Sequence, residues 1–178
     1  MTTVAALIRD GVVHMAADSQ TNIYDRPVYG AQKIVRLTAG GESLLLGVAG
    51  DGAMSDLLTH DWTPPEVPAD DLGPWLHDVA FTITDLCMQR NVGIDDGRLT
   101  SSVLIGYRGQ LWHLTHHQVI APGMNCAAIG RGEEPAMATM LALQEHTALS
   151  PDTILTQAIG YAARLTNGTG GPIRYEHA

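Results

Sequence analysis

MTTVAALIRDGVVHMAADSQT, residues 1–21, holds two short apolar runs on either side of Asp10-Gly11. Residues 3–8 and 12–17 have strand length, and Asp-Gly between two such runs is a strong hairpin signal. The second run ends in Ala16-Ala17-Asp18-Ser19, which sets a carboxylate at the end of a buried strand. A carboxylate there needs a partner, because an unpaired buried charge is strongly disfavoured. The stretch opens on Met1-Thr2-Thr3. Loss of Met1 would leave a hydroxyl and a free α-amine on the same residue.

Working outward, a polar loop at residues 22–30 carries Pro27 and Gly30. A second strand pair follows at residues 33–37 and 43–49, around Gly40-Gly41, and residues 53–60 read as a short helix after Gly50-Asp51-Gly52. Pro64, Pro65 and Pro68 mark a surface connection too short to divide two cores. Leu72, Leu76, Val79, Ile83 and Leu86 recur at spacings of three and four behind Asp70 and Asp71, which predicts a helix. Residues 101–107 and 111–115 form another hairpin around Arg108-Gly109, and residues 126–129 a further strand. Residues 135–146 read as helix, with Glu133 and Glu134 at its positive end. Ser150-Pro151 starts the last helix, with Ser as cap and Pro in the first turn. Ile154, Leu155, Ala158, Ala162 and Leu165 are its apolar face, and residues 173–176 a last strand. Strands, two helices, strands, two helices and a strand predict an α+β domain spanning 1–178, with two stacked antiparallel sheets between helix layers.

Of the 178 residues, 45% are hydrophobic and 16% charged, which is the composition of a folded chain with a sizeable core. The net charge of −9 and the lack of any Lys/Arg-rich stretch disfavour nucleic-acid binding. No apolar run has membrane-spanning length and the start lacks a signal-peptide pattern, so a cytoplasmic location is the default expectation. Cys87 and Cys126 are not in a CxxC pair, which argues against a disulfide framework or a cysteine zinc site.

Four places could carry chemistry, and each has an ordinary alternative. At Thr2 a free amine, with a pKa of about 8, could take the proton of its own hydroxyl as that hydroxyl attacks a carbonyl. Otherwise Thr2 is simply a residue after an initiator Met. Asp18 is either a turn-forming strand cap or the partner of a buried cation. Lys33 is either an ordinary surface lysine or a buried one whose charge lowers the pKa of a neighbouring amine. Gly50 is either a turn glycine or a bare N–H facing a developing oxyanion.

Taken in order, Thr2-Thr3-Val4, Gly11-Val12-Val13, Ala16-Ala17-Asp18-Ser19, Lys33-Ile34-Val35 and Gly47-Val48-Ala49-Gly50 resemble the front half of proteasome β-subunits, in the N-terminal nucleophile hydrolases. Ser102-Val103-Leu104-Ile105-Gly106-Tyr107, Ala128-Ile129-Gly130 and Thr169-Gly170-Gly171 extend the resemblance over nearly the whole chain, and the compact length and Met-Thr start are most similar to HslV. The resemblance implies a four-layer α-β-β-α sandwich. It implies Thr2 as nucleophile with its own amine as base, Asp18 holding Lys33, and Gly50 at the oxyanion. It puts Thr21, Ala31, Val35, Val48 and Gly52 in the specificity pocket, where Ala31, Val35 and Val48 would make it apolar. It further implies stacked homo-oligomeric rings, a ring-shaped ATPase unfoldase as partner, peptide or unfolded-protein substrates and no required cofactor. A sodium ion held by backbone carbonyls at Ala163, Thr166 and Thr169 is a further implication.

The chain departs from the family pattern in two places. Gly130-Arg131-Gly132 stands where the family usually has Gly-Ser-Gly, and Arg cannot accept a hydrogen bond. Thr166 stands where many members have an aspartate. Arg131 keeps open a second reading, an inactive or unprocessed ring-forming scaffold. A third reading is an amidase acting on a small metabolite, since hydrolases of this fold do many reactions. His113, His116 and His117 compete for attention, but strand alternation splits them between faces and no Cys or acidic pair completes a zinc set.

Overall fold

A computed structural model describes residues 2–116 and 118–178. Met1, and with it the question of its removal, and His117, with its expected strand face, lie outside the described residues. The chain runs β1 (Thr3–Arg9), β2 (Val12–Ala17), β3 (Gln20–Ile23), β4 (Arg26–Tyr29), β5 (Ile34–Ala39) and β6 (Glu42–Ala49), then α1 (Ala53–His60) and α2 (Leu72–Arg90). It continues through β7 (Ile94–Asp95), β8 (Arg98–Tyr107), β9 (Gln110–His116), β10 (Gln118–Ile120) and β11 (Cys126–Gly130) to α3 (Glu133–His146), α4 (Pro151–Leu165) and β12 (Arg174–His177). One sheet has the order β11-β1-β2-β12 and the other β10-β9-β8-β6-β5, with β7 on β8 and β3–β4 as a separate ribbon.

The two sheets stack, and three apolar layers hold the assembly. Strand alternation sends Val4 and Ala6 of β1 toward the other sheet, where they meet Ile34, Leu45 and Leu104. Ala5 and Leu7 point the opposite way, onto Met140, Ile154, Leu155 and Ala158 of α3 and α4. On the far side of the larger sheet, Leu44, Leu46 and Val48 pack with Leu58, Trp75, Val79 and Ile83 of α1 and α2. The order is helices, sheet, sheet, helices: a four-layer α-β-β-α sandwich. Burial on both faces explains why β1 reads as a continuous apolar run. Gly47 lets the sheets approach, since a Cβ there would lie 2.6 Å from Cγ1 of Val4 and 2.7 Å from Sδ of Met15. Cys87 and Cys126, both free, sit in different outer cores. Among the described residues no helix is long and apolar enough to cross a membrane.

Three expectations are corrected. Residues 22–30 are not a plain loop: Gln20–Ile23 pairs with Arg26–Tyr29 about a turn at Tyr24 and Asp25. The ribbon exposes most of its side chains, so no buried face imprinted an alternation on the sequence. Ser150 occupies the cap position of α4 with an extended backbone, yet its hydroxyl makes no capping bond and meets Oγ1 of Thr153 at 2.9 Å. Among the histidines, His116 has φ of 52°, so regular alternation fails at the end of β9. Burial lowers the His113 pKa, and its Nε2 has no partner among the described residues.

Candidate active site

Thr2 sits just ahead of β1, 7% exposed, where the smaller sheet meets the turn between β11 and α3. Its carbonyl accepts the Arg131 N–H at 2.9 Å. Pairing of β1 with β2 sets Val4 opposite Ala17 and so brings Asp18, the next residue, beside the start of β1. Asp18 is completely buried and is surrounded by donors. Its Oδ1 accepts the Thr3 N–H and the Lys33 ammonium, both at 2.8 Å. Its Oδ2 accepts the Gln20 N–H at 3.1 Å and the Gly170 N–H at 3.0 Å. Four donors from four segments thus fix one carboxylate, which is how a buried anion becomes tolerable.

Lys33 lies immediately before β5, and its Nζ also donates to the Gln20 carbonyl at 2.6 Å. Burial pushes its pKa down, and the hydrogen bond and charge of Asp18 pull it back up, with a net lowering. The turn after α4 closes the same region. Oγ1 of Thr3 and Oγ1 of Thr169 lie 2.8 Å apart, and Oγ1 of Thr166 lies 3.3 Å from Oγ1 of Thr169.

A cavity of about 220 Å³ opens beside Thr2, with Thr21, Ala31, Lys33, Val48, Gly50 and Gly52 on its wall. Val35 is placed elsewhere: it is buried in the core under α1 and α2. The resemblance put Val35 in the pocket, but its side chain lies on the face of β5 that packs with Leu46, Val48 and the helices. The wall is also less apolar than expected, since Gln32, Asp51, Ser55 and Asp56 join it. Gly50 has φ of +136°, a conformation side chains rarely adopt, and a Cβ there would collide with the Ser101 side chain and backbone. That close approach lets the Ser101 hydroxyl accept the Asp51 N–H at 3.0 Å. The Asp51 carboxylate then accepts the Ala53 N–H at 3.0 Å and the Gly93 N–H at 3.1 Å, pinning the start of α1 to the loop after α2.

Sequence reasoning did not single out Gln20, Gly170, Asp51, Asp56 or Ser101. Asp51 alone had a readable signal, an Asp two residues ahead of a helix. Ala163, Thr166 and Thr169 lie at the end of α4. Thr166 covers the Ala162 carbonyl with its N–H at 2.9 Å and its hydroxyl at 2.7 Å. The Ala163 carbonyl has no backbone donor among the described residues.

No family model matches the chain. In sequence it is 28% identical over 178 residues to the ATP-dependent protease subunit HslV of Desulfovibrio desulfuricans, covering 98% of this chain and 96% of that protein. In structure it resembles Thiobacillus denitrificans BPH in complex with epoxomicin, with a TM-score of 0.80, 20% identity, and coverage of 99% and 98% of the two chains. The eukaryotic HslV of Trypanosoma brucei gives a TM-score of 0.71 at 18% identity, covering 99% and 98%. Anbu, the ancestral β-subunit of Yersinia bercovieri, gives 0.70 at 15% identity, covering 99% of this chain and 81% of that one. Over nearly its whole length the chain is thus similar in sequence to HslV, and it shares its four-layer fold with BPH and HslV.

Proposed function

We propose that this protein is a threonine endopeptidase that works inside stacked rings of its own copies, on peptides or unfolded proteins. The observation that carries the reading is the Asp18 carboxylate, which grips the Thr3 N–H and the Lys33 ammonium at one oxygen beside the cavity that Thr2 lines. With Met1 gone, Oγ1 of Thr2 attacks the carbonyl carbon of a peptide bond while the α-amine takes the hydroxyl proton, directly or through one water. The carbonyl electron pair moves onto oxygen, where the Gly50 N–H stabilises it. Collapse of that intermediate breaks the C–N bond, and the ammonium returns its proton to the leaving amine. Water then attacks the ester as the same amine accepts its proton, which passes on to Oγ1 as the threonine is released. The Lys33 charge keeps the amine neutral at working pH by lowering its pKa.

A monovalent cation would sit on the carbonyls of Ala163, Thr166 and Thr169 and would firm the turn that delivers the Gly170 N–H to Asp18. Self-association is supported by the β3–β4 ribbon, which leaves Tyr24 96% and Ile23 58% exposed. A ring-shaped ATPase unfoldase as partner and a cytoplasmic location rest on the similarity to HslV alone. The scaffold reading is favoured by one feature, Arg131 in the segment where the family usually carries a serine. Peptide hydrolysis by the assembled protein, and its loss in Thr2→Ala with assembly retained, separates the two. Undiminished hydrolysis in Thr2→Ala overturns the proposal.

A further inference from the structure

The cavity beside Thr2 carries a charge that the reaction itself does not use. We propose that Asp56, together with Asp51, makes it select a basic side chain, Lys or Arg, on the residue whose carbonyl is attacked. This rests on the peptidase reading above. The cavity shares its wall with Thr2 and Gly50, the proposed nucleophile and oxyanion donor, so the side chain next to the attacked carbonyl is the one delivered into it. Val48 and Ala31 offer apolar wall to a methylene stem, as long basic side chains require.

The charges on the wall do not cancel. The one cation, Lys33, is held by the buried Asp18 carboxylate. Asp51 and Asp56 are in no ion pair among the described residues. Both Asp51 oxygens accept backbone N–H groups, so that carboxylate is fixed in place. Asp56, in the first turn of α1, makes no hydrogen bond among the described residues. A basic side chain would supply the missing partner. An apolar one would strip water from Asp56 without replacing it, and an acidic one would add like-charge repulsion.

The test uses three fluorogenic peptides, identical except for Arg, Leu or Glu at the cleavage position, with kcat/KM measured on the assembled protein. Arg is expected to exceed Leu by about tenfold, the weight of one charge-assisted hydrogen bond, and Glu to be slowest. Asp56→Asn keeps the size of the side chain and should collapse the Arg-to-Leu ratio to near one. Asp56→Glu should restore it, and Asp56→Lys should raise the Glu peptide above the Arg peptide. A Leu preference in the unmodified protein, or an Arg-to-Leu ratio that Asp56→Asn leaves intact, overturns the inference and leaves the peptidase reading standing. Cleavage of none of the three peptides, with no labelling of Thr2 by a peptide electrophile, overturns both.

Discussion

The two sides of the cavity are built on opposite rules. On the Asp18 side the charged groups are committed: one buried carboxylate takes four hydrogen bonds, and the lysine it holds also donates to a backbone carbonyl. On the α1 side Asp56 has no committed partner among the described residues and faces an open volume. A satisfied buried network has one geometry and tolerates little change, whereas a solvated carboxylate on a helix surface tolerates much. The first side suits chemistry that must not vary, the second a preference that can be altered residue by residue.

The sharpest way to break this contrast is substitution on the rigid side. Asp18→Ala leaves the Lys33 ammonium buried and unmatched, which should cost about 3–5 kcal/mol of stability and abolish activity. Denaturant unfolding with an activity assay checks it, and a loss below about 1 kcal/mol would mean that the network is not the anchor described. Asp18→Asn is subtler, since it removes the two causes that hold the Lys33 pKa up and leaves the burial that lowers it. The charged form is then lost at lower pH, so the alkaline limb of the rate profile should move to lower pH. An unmoved limb would detach Lys33 from the reaction.

Gly50→Ala, at the hinge between the two sides, forces a left-handed φ on a side chain that also meets Ser101. It should destabilise by about 1–3 kcal/mol and lower kcat more than it raises KM. Equal loss in both would point to general disorder of α1 instead of a lost oxyanion contact. The smallest effect lies far from the cavity, where His14 on β2 pairs with His177 on β12 and meets Tyr175 at 2.5 Å. Burial first, then His177 and Arg9, lower its pKa from 6.5, against the opposing pull of Asp152 and Asp10. Its unfolded form therefore binds a proton at higher pH than its folded form. Stability should be full above pH 6.5 and decline as pH falls through 6.5 toward the lower folded value. Thermal melts of His14→Gln should show a flatter acid decline, and an unchanged slope would remove His14 as its source.

The same contrast explains what the sequence disclosed. The layers were legible because burial on both faces writes long apolar runs into β1 and β6 and a clean three-four spacing into α2. Asp18 and Lys33 stood out because charges at the edges of apolar strands need a reason. The β3–β4 ribbon was not legible, because exposed strands carry no periodic burial, and Pro27 within it resembles a loop residue. Val35 came from the family resemblance, and which face of β5 it takes is decided by packing against α1 and α2 that a short matching motif does not carry. Asp56 gave no signal at all: an acidic residue in the first turn of a helix is ordinary, and only the fold brings it to the cavity.

The account turns on Thr2 acting through both its hydroxyl and its amine. The most direct measurement is intact mass of the assembled protein before and after treatment with epoxomicin, the compound in the Thiobacillus denitrificans BPH complex, followed by mapping of the modified peptide. The account predicts a chain lacking Met1, a single adduct on the peptide that begins at Thr2, and no adduct in Thr2→Ala. A protein that retains Met1 and takes no adduct, yet hydrolyses peptides, would contradict it.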